Sequence, residues 1–161
     1  MTKMRKFWVI VLAIVFLPCM VYAQEMGFYS LGYEKVNLRA GPAERFPIKW
    51  VYQERNYPVE VIDTFENWRK VREVDGSLGW VHQKMLKETR YVIIQDEDKL
   101  LSSPTVSGKV VAYVQPGVIA RVRSCPAGDF CLLQFNYEDK KIEGWFPRRF
   151  VWGLYDGEII E

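Results

Sequence analysis

One histidine, His82, and three cysteines, Cys19, Cys125 and Cys131, are the whole supply of thiols and imidazoles in a chain of 161 residues. A thiol peptidase needs a thiolate beside a histidine, and a structural zinc needs four ligands drawn from such residues. Neither set is at hand. The 20 acidic residues are scattered without the spacing of a paired-carboxylate motif, and no glycine-rich phosphate loop or metal-binding helix motif is written in the sequence. No catalytic residue, cofactor or metal is therefore expected, and His82 reads as a surface polar residue ahead of any catalytic role. Aromatic residues, at 15% of the chain with six tryptophans, are the richer source of chemistry, because ring stacking can hold a ligand without a reaction.

Those residues must be placed by elements, and the first element reads as an address. Lys3, Arg5 and Lys6 precede an unbroken apolar run over residues 7–17, and Val21-Tyr22-Ala23 ends on small residues before Gln24. This is the layout of a secretory signal over residues 1–23. A retained membrane helix would need roughly 20 apolar residues, and Pro18 interrupts the run; a lipoprotein cysteine at Cys19 is disfavoured by the same proline. Export to a periplasmic or extracellular space, with no stable membrane anchor after cleavage, is the expectation. The net charge of +2 comes from this segment, since the remainder carries 19 basic against 20 acidic residues. A near-neutral exported chain has little counterion-release drive, so nucleic acid is not an expected partner.

Export leaves two cysteines, Cys125 and Cys131, on either side of Pro126-Ala127-Gly128-Asp129-Phe130. An even pair around a turn in an oxidising compartment predicts a disulfide, ahead of two buried thiols and far ahead of a metal site. Closing so short a loop is worth about 2 kcal/mol.

Strand signals fill the rest of the chain. Val59-Glu60-Val61, Val118-Ile119-Ala120-Arg121-Val122-Arg123 and Leu133-Gln134-Phe135-Asn136-Tyr137 alternate as half-buried strands do, between turns marked by Gly, Pro and Asp. The pattern runs twice: Pro42 and Pro104 are offset by 62 positions, and Gly79 and Gly144 by 65. The difference fits inside one hairpin, because Trp68 to Trp80 spans 12 positions and Phe130 to Trp145 spans 15. Two copies of one small all-β domain follow. Their expected limits are 24–87 and 88–155, with an acidic tail over 156–161. Residues 87–99 contain the strand-like Tyr91-Val92-Ile93-Ile94, which predicts a semi-rigid joint opening the second copy.

Asn37-Leu38-Arg39-Ala40-Gly41-Pro42, Phe46-Pro47-Ile48, Trp68-Arg69-Lys70-Val71 and Gly79-Trp80-Val81-His82 with Leu86 together resemble the bacterial SH3-like domain, in its exported tandem form. The resemblance implies two tandem small SH3-like β-barrels behind a signal peptide, each five-stranded and partly open, with a short helical turn near residues 82–86. It also implies binding of cell-wall peptide, or anchoring of an enzyme to the envelope. From the residues themselves, Gly41-Pro42 ends a strand, Asp75-Gly76 turns a hairpin, and Gly79 leaves room where strands curl.

Trp50, Tyr52 and Tyr57 lie in or beside the loops and are the expected peptide-stacking surface, with Arg39 and Trp80 shaping its floor. Arg39 can meet a ligand carboxylate or an internal acid such as Glu60, the internal role being favoured. Trp80 and Trp145 are expected in the core ahead of a groove edge, and Trp68 under the hairpin. At the equivalent positions the second copy has Lys99 for Asn37, Leu101 for Arg39 and Ala112 for Trp50, so a groove of this kind belongs to the first copy alone. The expected partner is a cell-wall peptide, that of peptidoglycan. The alternative is an envelope protein docked by the second copy or by the acidic end.

Overall fold

A computed structural model describes residues 26–161; the expected leader over residues 1–23, with Cys19, lies outside the described residues. The chain forms two antiparallel sheets in sequence. The first contains β1 (Gly27–Leu31), β2 (Val36–Arg39), β3 (Ile48–Tyr52), β4 (Pro58–Phe65), β5 (Trp68–Arg72), β6 (Leu78–His82) and, after a 3-10 turn at Gln83–Met85, β7 (Leu86–Lys87). The second contains β8 (Tyr91–Ile94), β9 (Asp98–Leu101), β10 (Val110–Val114), β11 (Ile119–Ser124), β12 (Phe130–Tyr137), β13 (Lys140–Pro147) and, after a 3-10 turn at Arg148–Phe150, β14 (Val151–Trp152).

The spatial orders are β3-β2-β6-β5-β4-β1-β7 and β10-β9-β13-β12-β11-β8-β14, the same arrangement advanced by seven strands. Each sheet therefore has seven strands where the resemblance implied five. In the first, the stretch before Ala40 is divided: β1 pairs with β4 and β7, while β2 pairs with β3 and β6. The chain beyond the 3-10 turn adds the seventh strand. The extra residues of the second copy lengthen its hairpin, since β12 and β13 pair continuously from Phe130↔Pro147 to Tyr137↔Lys140.

Each sheet curls around its own apolar core. Leu31, Val36, Leu38, Tyr52, Val59, Val61, Val71 and Val81 fill the first, and Ile94, Leu100, Leu133, Phe135 and Phe146 are prominent in the second. The Gly-Trp pairs set the curl. A Cβ on Gly79 would lie 2.4 Å from Leu38 Cγ, and one on Gly144 would lie 2.7 Å from Leu100 Cγ. Because alternate residues of a strand face opposite sides, a core-facing Gly79 or Gly144 sends Trp80 and Trp145 outward. Both tryptophans are half-buried on the outer face, which corrects the expectation that they sit in the core.

Alternation also fails at Glu60, where all of Pro58 to Val61 is buried. The second barrel covers it. Tyr155 donates its hydroxyl to Glu60 Oε1 at 3.0 Å, and Arg72 Nε donates to Glu60 Oε2 at 2.8 Å. Phe28 stands edge-on to Trp152 with ring centroids 5.0 Å apart and lies 4.9 Å from Tyr155. Between β7 and β8 only residues 88–90 remain, and the backbone N–H of Tyr91 donates to Ser30 Oγ at 3.2 Å. The two barrels are thus packed on one another through a short joint.

Cys125 and Cys131 are joined by a disulfide across the 126–130 turn. The acidic end expected to offer itself for docking is tied to its own barrel instead. Cys125 and Ile160 exchange backbone hydrogen bonds of 2.6 and 3.0 Å, and Glu158 pairs with Arg90 at 2.8 Å.

Candidate functional site

The outer face of the first barrel gathers side chains that the chain separates widely. Val36 and Leu38 are buried, so Asn37 and Arg39 face the other way from β2. Strand register places Arg39 against Trp80, Trp80 against Lys70, and Trp68 against His82. The Trp68 and His82 rings meet edge to face, 5.4 Å apart. His82 Nδ1 accepts the backbone N–H of Lys84 at 3.2 Å, capping the 3-10 turn. The neutral ring then keeps its proton on Nε2.

Arg39 holds the neighbouring loop. Its Nη1 donates to the carbonyls of Glu44 and Phe46, both at 2.9 Å, and Phe46 lies so close over Gly41 that a Cβ there would be 2.6 Å from the ring. On the other side, Gln83 Nε2 donates to Asn67 Oδ1 at 2.9 Å and Gln83 N to Asn67 O at 2.8 Å, which fixes the turn between β4 and β5. Between loop 40–47 and the 3-10 turn lies a groove of about 360 Å³, lined by Asn37, Arg39, Trp68 and His82 with Lys35 and Lys84 at its rim. It continues past Glu44, Trp68 and His82 into a hollow of about 440 Å³ beside Phe65 and Asn67. Three cations and one carboxylate, Glu44, border the first part, so it favours anionic groups.

The expected five-residue site is divided by the fold. Arg39 and Trp80 share the outer face just described. Arg39 meets backbone carbonyls and not Glu60, because the buried Glu60 carboxylate is engaged by Arg72 and Tyr155. Trp50 stands at the opposite end, 60% exposed, opposite Leu38 on the edge strand β3. Tyr52 is no surface platform: it is 3% exposed in the core, 5.3 Å from the half-buried Tyr57 ring. Trp50 and Tyr52 share one face of β3, against Leu38 and Val36 respectively, but Tyr52 reaches the core whereas Trp50 is left exposed.

Around Trp50 lies a smaller pocket of about 180 Å³ that includes Lys49, Glu73, Asp75 and Ser77. Burial raises the Glu73 carboxyl above its usual range, opposed by the Tyr52 hydroxyl and reinforced by the charge of Asp75. Burial likewise raises the Tyr52 phenol, and pushes that of Tyr57 up to about 12. Asp75, exposed, is held low by the Ser77 N–H at 2.8 Å and its hydroxyl at 3.0 Å.

Trp68 and His82 are the groove residues that sequence reasoning left out. The signal for them was present in the hairpin: Asp75-Gly76 as the turn pairs position 68 with 82 and sets both on the face of Trp80. Among the described residues no group of three or more His, Cys, Asp or Glu is placed to hold a metal ion, and no helix is long and apolar enough to cross a membrane.

Residues 32–88 match the family model described as bacterial SH3 domain. No curated protein matches the chain. Among solved structures, it is similar to NlpC1 from Trichomonas vaginalis, at 18% identity and a TM-score of 0.35 over 88% of this chain and 50% of that one. NlpC2 from Trichomonas vaginalis gives 16% identity and a TM-score of 0.35, over 80% and 48%. An NlpC/P60 family protein from Bacillus cereus gives 12% identity and 0.34, over 78% and 55%. The chain spans about half the length of these proteins. The curled sheet, Gly-Trp strand and 3-10 turn of the first barrel all fall within or beside residues 32–88, the segment that matches the bacterial SH3 domain model.

Proposed function

We propose that this protein is a non-catalytic, exported binding module that recognises a peptide of the cell envelope, with the peptide of peptidoglycan as the ligand. The observation that carries this reading is the groove of Arg39, Trp68 and His82 inside the segment matched to the bacterial SH3 domain. Trp68 and His82, edge to face at 76°, give a ligand two differently inclined ring surfaces. Arg39 uses Nη1 on the loop carbonyls, which leaves its other N–H groups for a carboxylate. Lys35 and Lys84 add attraction of about 1 kcal/mol each at such exposure. With stacking of similar size, one groove binds at roughly 0.1–1 mM, and a polymer with many copies of the peptide raises the apparent affinity.

The non-catalytic part is supported by the separation of the candidate groups. Cys125 and Cys131 are joined to each other in the second barrel, and His82 caps a turn in the first. Export is supported by the disulfide.

Protein-free peptidoglycan is the decisive probe. The protein should sediment with it, Trp68→Ala should cut retention about tenfold, the loss of one stacked ring, and no soluble muropeptide should appear. Retention indifferent to Trp68→Ala, or release of muropeptides by the pure protein, would overturn the reading. One feature favours docking of another exported protein instead: Val110, Val111 and Tyr113 are exposed along β10, the free edge of the second sheet. Crosslinking through Tyr113 to a protein, with no retention on peptidoglycan, would establish that alternative.

A further inference from the structure

We propose that the end of the first barrel opposite the groove, where Trp50, Tyr52, Glu73 and Asp75 converge, binds a primary ammonium group carried on an alkyl chain. This site is independent of the groove, and either can fail without the other.

Three observations support it. Trp50 is 60% exposed beside the pocket, so its ring face is open to an alkyl stem or a cation. Glu73 and Asp75 border the same pocket against one cation, Lys49, whose Nζ donates to the Leu78 carbonyl at 2.6 Å. One negative charge is left in excess. The third is the Tyr52 hydroxyl, which is fully buried, has no hydrogen-bond partner of good geometry, and neighbours the Glu73 carboxylate. A buried hydroxyl held only loosely against its neighbour leaves hydrogen-bonding capacity unused. It can donate to Glu73 and accept from an ammonium that arrives between them.

The second barrel shows what the same end looks like without such a role. Register equates Tyr52 with Val114, Trp50 with Ala112 and Glu73 with Phe135, and Val114 and Phe135 lie in the apolar core. The repeat tolerates an apolar seal here, so the tyrosine, tryptophan and carboxylate are not demanded by the fold. A pocket of about 180 Å³ admits a single alkylammonium such as a lysine side chain, not a ring system.

The test is a titration of the full-length, isotopically labelled protein with n-butylammonium and with Nα-acetyllysine amide at pH 8. The indole N–H signal of Trp50, assigned through Trp50→Phe, reports binding. A saturable shift in the millimolar range is expected, with no response to neutral N-butylacetamide. Glu73→Gln and Asp75→Asn should each weaken binding about fivefold, the value of one partly exposed charge pair. Lys49→Met, which removes the internal competitor, should strengthen it by a similar factor. Methyl dispersion confirms the fold of each variant, and should Glu73→Gln not fold, Asp75→Asn on its exposed turn carries the comparison. The proposal is overturned if the neutral amide moves the signal equally, if the ammonium shift never saturates, or if affinity ignores both carboxylate substitutions.

Discussion

By strand register, Arg39, Lys70, Trp68 and His82 on the outer face of the first barrel become Leu101, Leu132, Phe130 and Pro147 on the second, while Trp80 is kept as Trp145. Inside, the first barrel has Tyr52 and Val81 where the second has Val114 and Phe146. One large ring serves each core at those paired positions, on β3 in one and on β13 in the other. Total volume is what a core of this kind must conserve, more than the identity of any one residue. The strand order and the Gly-Trp curl belong to the scaffold; the polar groups confined to one copy are those for which function must account.

That division predicts where the largest losses fall. Phe146 is wholly buried, so Phe146→Ala should cost about 3–5 kcal/mol, whereas Val81→Ala, which removes less volume, should cost roughly 1–3 kcal/mol. Denaturant titration of both variants measures the difference. Equal losses would mean that the two cores do not divide their volume as the register indicates.

The disulfide belongs to the second barrel alone. Replacing Cys125 and Cys131 by alanine should destabilise that barrel by about 2 kcal/mol on the chain-entropy account, and should also loosen residues 156–161, which hang on Cys125 through Ile160. Ligand retention by the first barrel should be unchanged. A loss of retention on reduction would show that the groove depends on the second copy.

A smaller effect tests the seam between the barrels. Glu60→Ala removes the acceptor of Arg72 and Tyr155 and should cost about 1–2 kcal/mol, reduced because Arg72 is half-exposed. Burial first, then the hydrogen bond to Glu60, pushes the Tyr155 phenol up to about 12. A phenol raised in the fold stabilises it below the ordinary value near 10 and loses that contribution as pH climbs to about 12. The seam should therefore loosen across that interval, and Tyr155→Phe should remove the seam's share of the dependence, leaving that of Tyr57 within the first barrel. Absorbance titration of the tyrosines follows it.

Strand alternation, turn residues and the 62-position offset were enough to predict two copies of one all-β fold and the longer second hairpin; the paired cysteines around a turn predicted the disulfide, and the family resemblance implied the short helical turn. Glu60 and Tyr52 mark where that reasoning stops. Alternation assigns a side to a residue, yet it does not say whether a second barrel lies over that side, and Glu60 was buried by residues 95 positions away. Tyr52 was grouped with Trp50 by nearness in sequence, although an aromatic two positions along an edge strand can still face the core. The groove was hidden for the reverse reason. Trp68 and His82 are 14 positions apart and meet only when the hairpin closes.

The finest test returns to Glu73 and its counterpart Phe135. Burial raises the Glu73 carboxyl in the fold, so its protonated form is the one the barrel favours. The sign follows: its contribution is full at low pH and is lost as pH rises through the raised value, which makes ionised Glu73 a liability near neutrality. Glu73→Gln should stabilise the first barrel at pH 7 by less than about 1 kcal/mol, discounted because the group is only partly buried, and the gain should shrink toward zero on acidification. Thermal melts at several pH values read it directly. A gain that instead grew in acid would mean that Lys49 already pairs with the carboxylate well enough to satisfy it. The same substitution is expected to weaken alkylammonium binding, so a variant that melts higher and binds less would identify Glu73 as a group held at the expense of stability for the sake of a ligand. Phe135 would then show the form this end of the barrel takes where no ligand is bound.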